Sequence, residues 1–109
     1  MVLQHYTSAS GRMGILREKA IWPSLRANNP KDARFGDGQY LSDIAPGSKR
    51  PGQLSRIFLG MPFAGRKFTD YVSIETEGLN VFFCRESVFL IRNSTALDIS
   101  SRLVTHGKN

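Results

Sequence analysis

Residues 68–104 read FTDYVSIETEGLNVFFCRESVFLIRNSTALDISSRLV, and Val, Ile, Phe and Tyr are concentrated there in short runs separated by Gly or Asn. Such runs predict strands from about Phe68 to Glu75, Leu79 to Cys84, Val88 to Ile91 and Leu97 to Val104, and everything after Gly65 reads as strand. At the other end of the chain, Met1 to Tyr6 reads as a first strand that runs into Thr7-Ser8-Ala9-Ser10, a string of possible helix N-caps. Met13, Leu16 and Ala20 recur at helical spacing, so a short helix is expected over about Ser10 to Lys19, and Pro23 stops any extension. Pro23 to Gly38 has the composition of a long loop, and a structureless loop of about 15 residues in a small domain suggests a binding loop. Gln39 to Leu41 reads as a short strand. Ala45 to Pro51 returns to loop composition, and a second helix is expected over Pro51 to Leu59, with Pro at its start and Gly60 as its stop. This order predicts an α+β domain with a split, mixed or antiparallel β-sheet and two short helices. It lacks the regular β-helix-β alternation of a Rossmann fold.

The chain of 109 residues, 40% hydrophobic, has material for one core, so residues 1–109 are read as a single domain. Apolar stretches such as Val88 to Ile91 are far shorter than the roughly 20 residues of a membrane span, and with no basic-then-apolar leader before His5, neither a transmembrane protein nor an intact secretory precursor is expected. Cys84 is the single cysteine. It cannot form an internal disulfide, and its apolar run suggests a buried thiol. Fifteen Lys and Arg against nine Asp and Glu give a net charge of +6. That balance attracts polyanions or an acidic protein partner. Ten of the fifteen are Arg, the side chain suited to bidentate phosphate contact.

Several chemistries are excluded by motif. Neither a GxxxxGK[ST] phosphate loop nor a GxGxxG fingerprint is present, and Gly36-Asp37-Gly38 leads into a predicted strand and not a helix. His5, His106 and Cys84 do not have zinc-ligand spacing, and there is no GxSxG elbow. What remains is His5-Tyr6-Thr7-Ser8 at the end of the first strand, Tyr40 within Gly38 to Asp43, and Glu86 between two apolar runs. Taken singly, these could be a strand-end histidine, a core aromatic and a solvated turn residue.

Taken together, His5-Tyr6-Thr7-Ser8, Ile15-Leu16, Ile21 to Leu25, the long string Asn29 to Asp43, Gln53 to Arg56 and Gly78 to Val81 resemble the ADP-ribosyltransferase toxin domains named for a His-Tyr-Asp signature, which are found as C-terminal domains of polymorphic, Rhs-type toxins. The resemblance runs from about Leu3 to Arg102 and is most specific over Asn29 to Asp43. It implies an NAD-binding split β-sheet with a catalytic triad of His, Tyr and an acid. His5 would hydrogen-bond a ribose hydroxyl, the Tyr6 backbone would hold the nicotinamide carboxamide with Thr7 beside it, and the Tyr40 ring would stack on the nicotinamide. For the acid, Glu86 before the strand Val88 to Ile91 matches the position where this superfamily carries its carboxylate, with Asp43 and Asp70 as the alternatives. That carboxylate would stabilise the positive charge that develops on the sugar as nicotinamide leaves. Arg26, Lys31 and Arg34 in the long loop are candidates for the pyrophosphate.

The expected function is thus a mono-ADP-ribosyltransferase toxin effector that uses NAD as substrate and modifies a macromolecular acceptor, with RNA favoured over protein by the charge. It would be delivered as part of a larger secreted toxin into the cytoplasm of a target cell and matched by a cognate immunity protein. An NAD glycohydrolase, in which water is the acceptor, would share the same site. A noncatalytic basic nucleic-acid-binding module is the remaining class, although no aromatic RNA-binding motif is present.

Overall fold

The computed structural model describes residues 1–109. Eight strands, β1 (Val2–Thr7), β2 (Ala20–Ile21), β3 (Gly38–Leu41), β4 (Asp70–Glu75), β5 (Phe82–Arg85), β6 (Val88–Arg92), β7 (Leu97–Asp98) and β8 (Leu103–Lys108), accompany helices α1 (Ala9–Glu18) and α2 (Pro51–Leu59). The α+β class and both α-helices match expectation. A 3-10 helix over Pro62–Phe68 occupies ground that composition assigned partly to strand. The expected strand Leu97 to Val104 is two strands, because a turn at Ser100–Ser101 carries the chain from one sheet to another.

Both α-helices start and stop as their sequences direct. The Ser8 hydroxyl accepts from the Gly11 N–H at 3.1 Å, which satisfies one of the free donors of the first turn of α1. Pro51 begins α2, and Gly60, at φ +76°, ends it by donating its N–H to the Arg56 carbonyl at 2.9 Å.

All strand pairings are antiparallel. One sheet has the order β1-β4-β8, a second β3-β6-β5, and β2-β7 forms a two-stranded pair. The two larger sheets meet at a single bridge, where Gln4 and Ser42 exchange backbone hydrogen bonds of 2.8 Å in both directions. The pairing does not continue beyond it, so β1 and β3 diverge. Leu3, Ile15, Ile21, Leu41, Val72, Ile74, Ile91, Leu97 and Ile99 fill the main core, drawing on all three sheets and α1. Cys84 is only half-buried on the edge strand β5, which corrects the expectation of a buried thiol: β5 pairs on one side only and its outer flank is open.

Candidate active site

The divergence of β1 and β3 opens a cleft of about 540 Å³, within the size range of small-molecule sites. Because strand peptide groups alternate in direction, the backbone N–H and C=O of Tyr6 point the same way as those of Gln4, toward the edge that β3 has left. The floor therefore offers backbone donors and acceptors. Three further elements complete the walls: the 23–37 loop, the C-terminal end of α2 and the 3-10 helix.

His5 stands where the two strands part. Its Nδ1 lies 2.9 Å from the Tyr40 carbonyl oxygen, and a carbonyl can only accept, so Nδ1 carries the proton and Nε2 presents a lone pair. Desolvation by burial lowers the imidazole pKa, partly offset by the Tyr40 carbonyl, so the ring is neutral at pH 7. A neutral imidazole with a free Nε2 is an acceptor suited to a substrate hydroxyl.

Tyr40 is held at its far end. Its hydroxyl donates to the Gly36 carbonyl at 2.6 Å and accepts from the Phe35 N–H at 2.9 Å. These bonds fix the ring in the cleft wall and tie the end of the 23–37 loop to β3. Burial raises the phenol pKa. The loop is ordered by successive backbone turns between Leu25 and Gly36 and by Ala33, which is fully buried. It contributes Ser24, Lys31, Asp32, Arg34 and Phe35 to the cleft, as its composition suggested. Arg26 is exposed and does not line it.

Tyr6 packs its ring against Phe58, with centroids 6.0 Å apart, and donates its hydroxyl to the Ile44 carbonyl at 2.7 Å. Burial pushes this phenol up to about 12, so it remains a donor. Phe58 in turn meets Phe68 edge-on at 5.3 Å. Two arginines that line the cleft clamp the same wall. Arg85 donates to the Ile57 carbonyl at 2.6 Å, and Arg34 to the Leu59 carbonyl at 3.3 Å, so both satisfy free carbonyls in the last turn of α2.

The structure brings His5, Tyr6, Thr7, Arg34 and Tyr40 to one cleft. It also adds Phe58, Arg66, Lys67, Phe68 and Arg85, which the sequence did not assign to the site; Arg66 and Lys67 stood out there only as exposed cations. The sequence signal for the first four was weak, because α2 and the 3-10 helix read as ordinary packing and surface elements. Arg85, immediately before Glu86, was the nearest to a signal.

The three candidate carboxylates Glu86, Asp43 and Asp70 lie outside the lining. Glu86 is exposed in the two-residue turn between β5 and β6, flanked by Arg85 and by Ser87 at φ +69°. Asp43 is exposed just after Ser42. Asp70 is buried at 1% exposure, with one oxygen 2.8 Å from Arg12 Nε and the other accepting from the Thr69 hydroxyl at 2.7 Å. The carboxylate that does line the cleft is Asp32, which accepts from Lys67 Nζ at 3.1 and 3.2 Å. Against it stand Lys31, Arg34, Arg66, Lys67 and Arg85, so the cleft is strongly cationic. No cluster of three or more His, Cys, Asp or Glu is placed to hold a metal ion, and no helix is long and apolar enough to cross a membrane.

No curated protein and no solved structure matches the chain. Residues 3–103 match the toxin family described as HYD1 signature containing ADP-ribosyltransferase. That span covers the strand bearing His5, the 23–37 loop, Tyr40 and both walls of the cleft, and the chain belongs to this family of ADP-ribosyltransferase toxins.

Proposed function

We propose that the cleft binds NAD and that the protein transfers ADP-ribose from it to RNA in the cytoplasm of a target cell, as the effector portion of a polymorphic toxin. The observation that carries this reading is the unpaired edge at the parting of β1 and β3, where the lone pair of His5 Nε2, the peptide groups of Tyr6 and the ring of Tyr40 are gathered.

NAD fits the donor set of this cleft. The Tyr6 peptide groups suit a carboxamide, which needs both a donor and an acceptor, and the Tyr40 face suits a planar pyridinium cation. His5 Nε2 accepts from a ribose hydroxyl. The guanidinium of Arg34 and the ammonium groups of Lys31 and Lys67 meet the pyrophosphate. Bond breaking releases neutral nicotinamide and leaves positive charge on the sugar, and a nucleophile on the acceptor captures the anomeric carbon and loses its proton.

Glu86 is the carboxylate proposed to hold the nicotinamide ribose and stabilise that charge. In support, Arg85 just before it and Val88 two residues after it both line the cleft. The cleft holds more cationic groups than one pyrophosphate neutralises, which favours a polyanionic acceptor. An acidic immunity protein would complement the same rim.

The test is incubation of the protein with NAD labelled in its adenylate portion and a cell extract, followed by separate nuclease and protease digestion. Label released by nuclease and retained after protease supports the reading. Label released by protease alone assigns a protein acceptor, and free ADP-ribose as the only product assigns a glycohydrolase.

A further inference from the structure

A second concavity, of about 270 Å³, shares His5 and Thr7 with the cleft and is lined further by Gly14, Glu18, Ile21 and Trp22. Its outer wall is an indole with 65% of its surface exposed. Trp22 is held in place, for its Nε1 donates to Glu18 Oε1 at 2.8 Å. The other oxygen, Glu18 Oε2, has Arg17 Nη2 no nearer than 3.9 Å, beyond a hydrogen bond, so its lone pairs are free.

Gly14 is the second observation. Glycine inside a helix costs about 1 kcal/mol relative to alanine, and here no packing demands it. A Cβ at this position would meet only the flexible end of Arg17, at 3.8 Å. The missing side chain instead keeps the concavity open beside Glu18, which lies one turn further along the same helix face.

An exposed flat aromatic face beside a group that only accepts hydrogen bonds fits a planar ligand with a donor edge. Two chemistries have that character, a guanidinium and a nucleobase. The net charge of +6, with Arg17 adjacent to Glu18, repels a cationic segment and attracts a polyanion.

We infer that this concavity is a nucleobase subsite, in which an unpaired base of an RNA acceptor stacks on Trp22 and presents its donor edge to Glu18. Guanine fits best, because its adjacent N1–H and N2–H both face the free Oε2 of Glu18. That the base belongs to the acceptor of the reaction rests on the NAD reading above. That the concavity binds a base does not.

Trp22 is the sole tryptophan of the chain, so its fluorescence reports on this concavity directly. The experiment titrates the full chain with GMP and with UMP in the absence of NAD. Both carry the same ribose and phosphate, so the cationic cleft acts alike on the two. Quenching by GMP with an affinity roughly tenfold above that for UMP is expected. Glu18→Gln, at an exposed helix position, should remove the preference, and Gly14→Leu should abolish quenching by both nucleotides. Should Gly14→Leu fail to fold, Glu18→Gln decides alone. Equal affinities for GMP and UMP, or a preference that survives Glu18→Gln, overturns the inference. Stronger quenching by N-acetylarginine methylamide than by GMP also overturns it and indicates a protein acceptor. Since no NAD is present, failure to turn over NAD defeats the proposed function without bearing on this result.

Discussion

The His5 imidazole and the Tyr40 carbonyl, 2.9 Å apart, join the two sheets just past the point where their backbones cease to pair. One contact thereby sets three properties of the site: the tautomer of His5, the direction of its free lone pair and the width of the gap between β1 and β3. A side chain bonded to backbone at this position also resists closure of the cleft into a continuous sheet, which would bury the edge that a ligand needs.

The two aromatic-wall positions are separable by substitution. His5→Ala should reduce NAD turnover by roughly 100- to 1,000-fold, the scale of loss for one hydrogen bond that positions the reacting sugar in the transition state, with the fold intact by circular dichroism. Tyr40→Ala should do the same by removing the stacking face. Tyr40→Phe keeps that face but leaves the Phe35 N–H and the Gly36 carbonyl without a partner. It should therefore lose about 1–3 kcal/mol of stability while retaining much more activity than Tyr40→Ala. Full turnover in a folded His5→Ala protein would remove the mechanism.

Glu86→Gln should lower the turnover number while leaving NAD affinity, measured by titration calorimetry, close to that of the wild type. Asp32→Asn should have the opposite effect. Asp32 occupies Lys67 and places negative charge in the cleft, so its neutralisation should tighten NAD binding. If Asp32→Asn abolishes turnover and Glu86→Gln leaves it unchanged, the carboxylate assignment moves to Asp32.

Asp70 has a structural part that a stability measurement exposes. Its buried carboxylate, bonded to Arg12, anchors α1 to the start of β4. Removing one partner of such a pair leaves a buried charge unmatched, so Arg12→Met should cost about 3 kcal/mol or more by urea denaturation. The Arg12→Met/Asp70→Asn double variant should be less destabilised than the sum of the single variants. Additive losses would show that the two side chains do not interact.

The lowered pKa of His5 has a consequence for stability against pH. Below the ordinary value of 6.5 the unfolded chain takes up a proton at His5 that the folded chain resists, so protonation favours unfolding. Stability from this group is present above 6.5 and is lost as pH falls toward its folded value. Wild-type protein should thus lose stability between pH 7 and 5 more steeply than His5→Gln, as read from urea midpoints. Parallel curves for the two would show that the imidazole titrates normally.

Gly38 shows how closely the site depends on backbone geometry. It starts β3 at φ +150°, and a Cβ there would lie 2.0 Å from the Ile91 carbonyl oxygen, which is backbone and cannot turn aside. Gly38→Ala should destabilise by roughly 2–4 kcal/mol and loosen the 23–37 loop, raising the KM for NAD. A thermal midpoint within a degree or two of the wild type would contradict this, since about 1 kcal/mol moves it by roughly 4–8 °C in domains of this size.

The sequence by itself determined the α+β class, the span of α2 to the residue, and the positions of β1, β3 and β6 to within a residue or so. It could do so because those features are local: proline and glycine at helix ends, N-cap hydroxyls and runs of β-branched and aromatic residues act through neighbouring residues. It also pointed to His5, Tyr6, Thr7, Arg34 and Tyr40, which gather in the cleft, because they lie in the stretches that resemble the family. Only the tertiary structure decided which cations join them. Arg85 is placed by its bond to the Ile57 carbonyl, 28 residues earlier, and Lys67 by its pairing with Asp32, 35 residues earlier, contacts that no local pattern encodes. The same is true of the carboxylates. Asp32, Asp43, Asp70 and Glu86 are chemically alike in the sequence, and burial, the pairing of Asp70 with Arg12 and the turn that carries Glu86 into solvent distinguish them only once the sheets have packed.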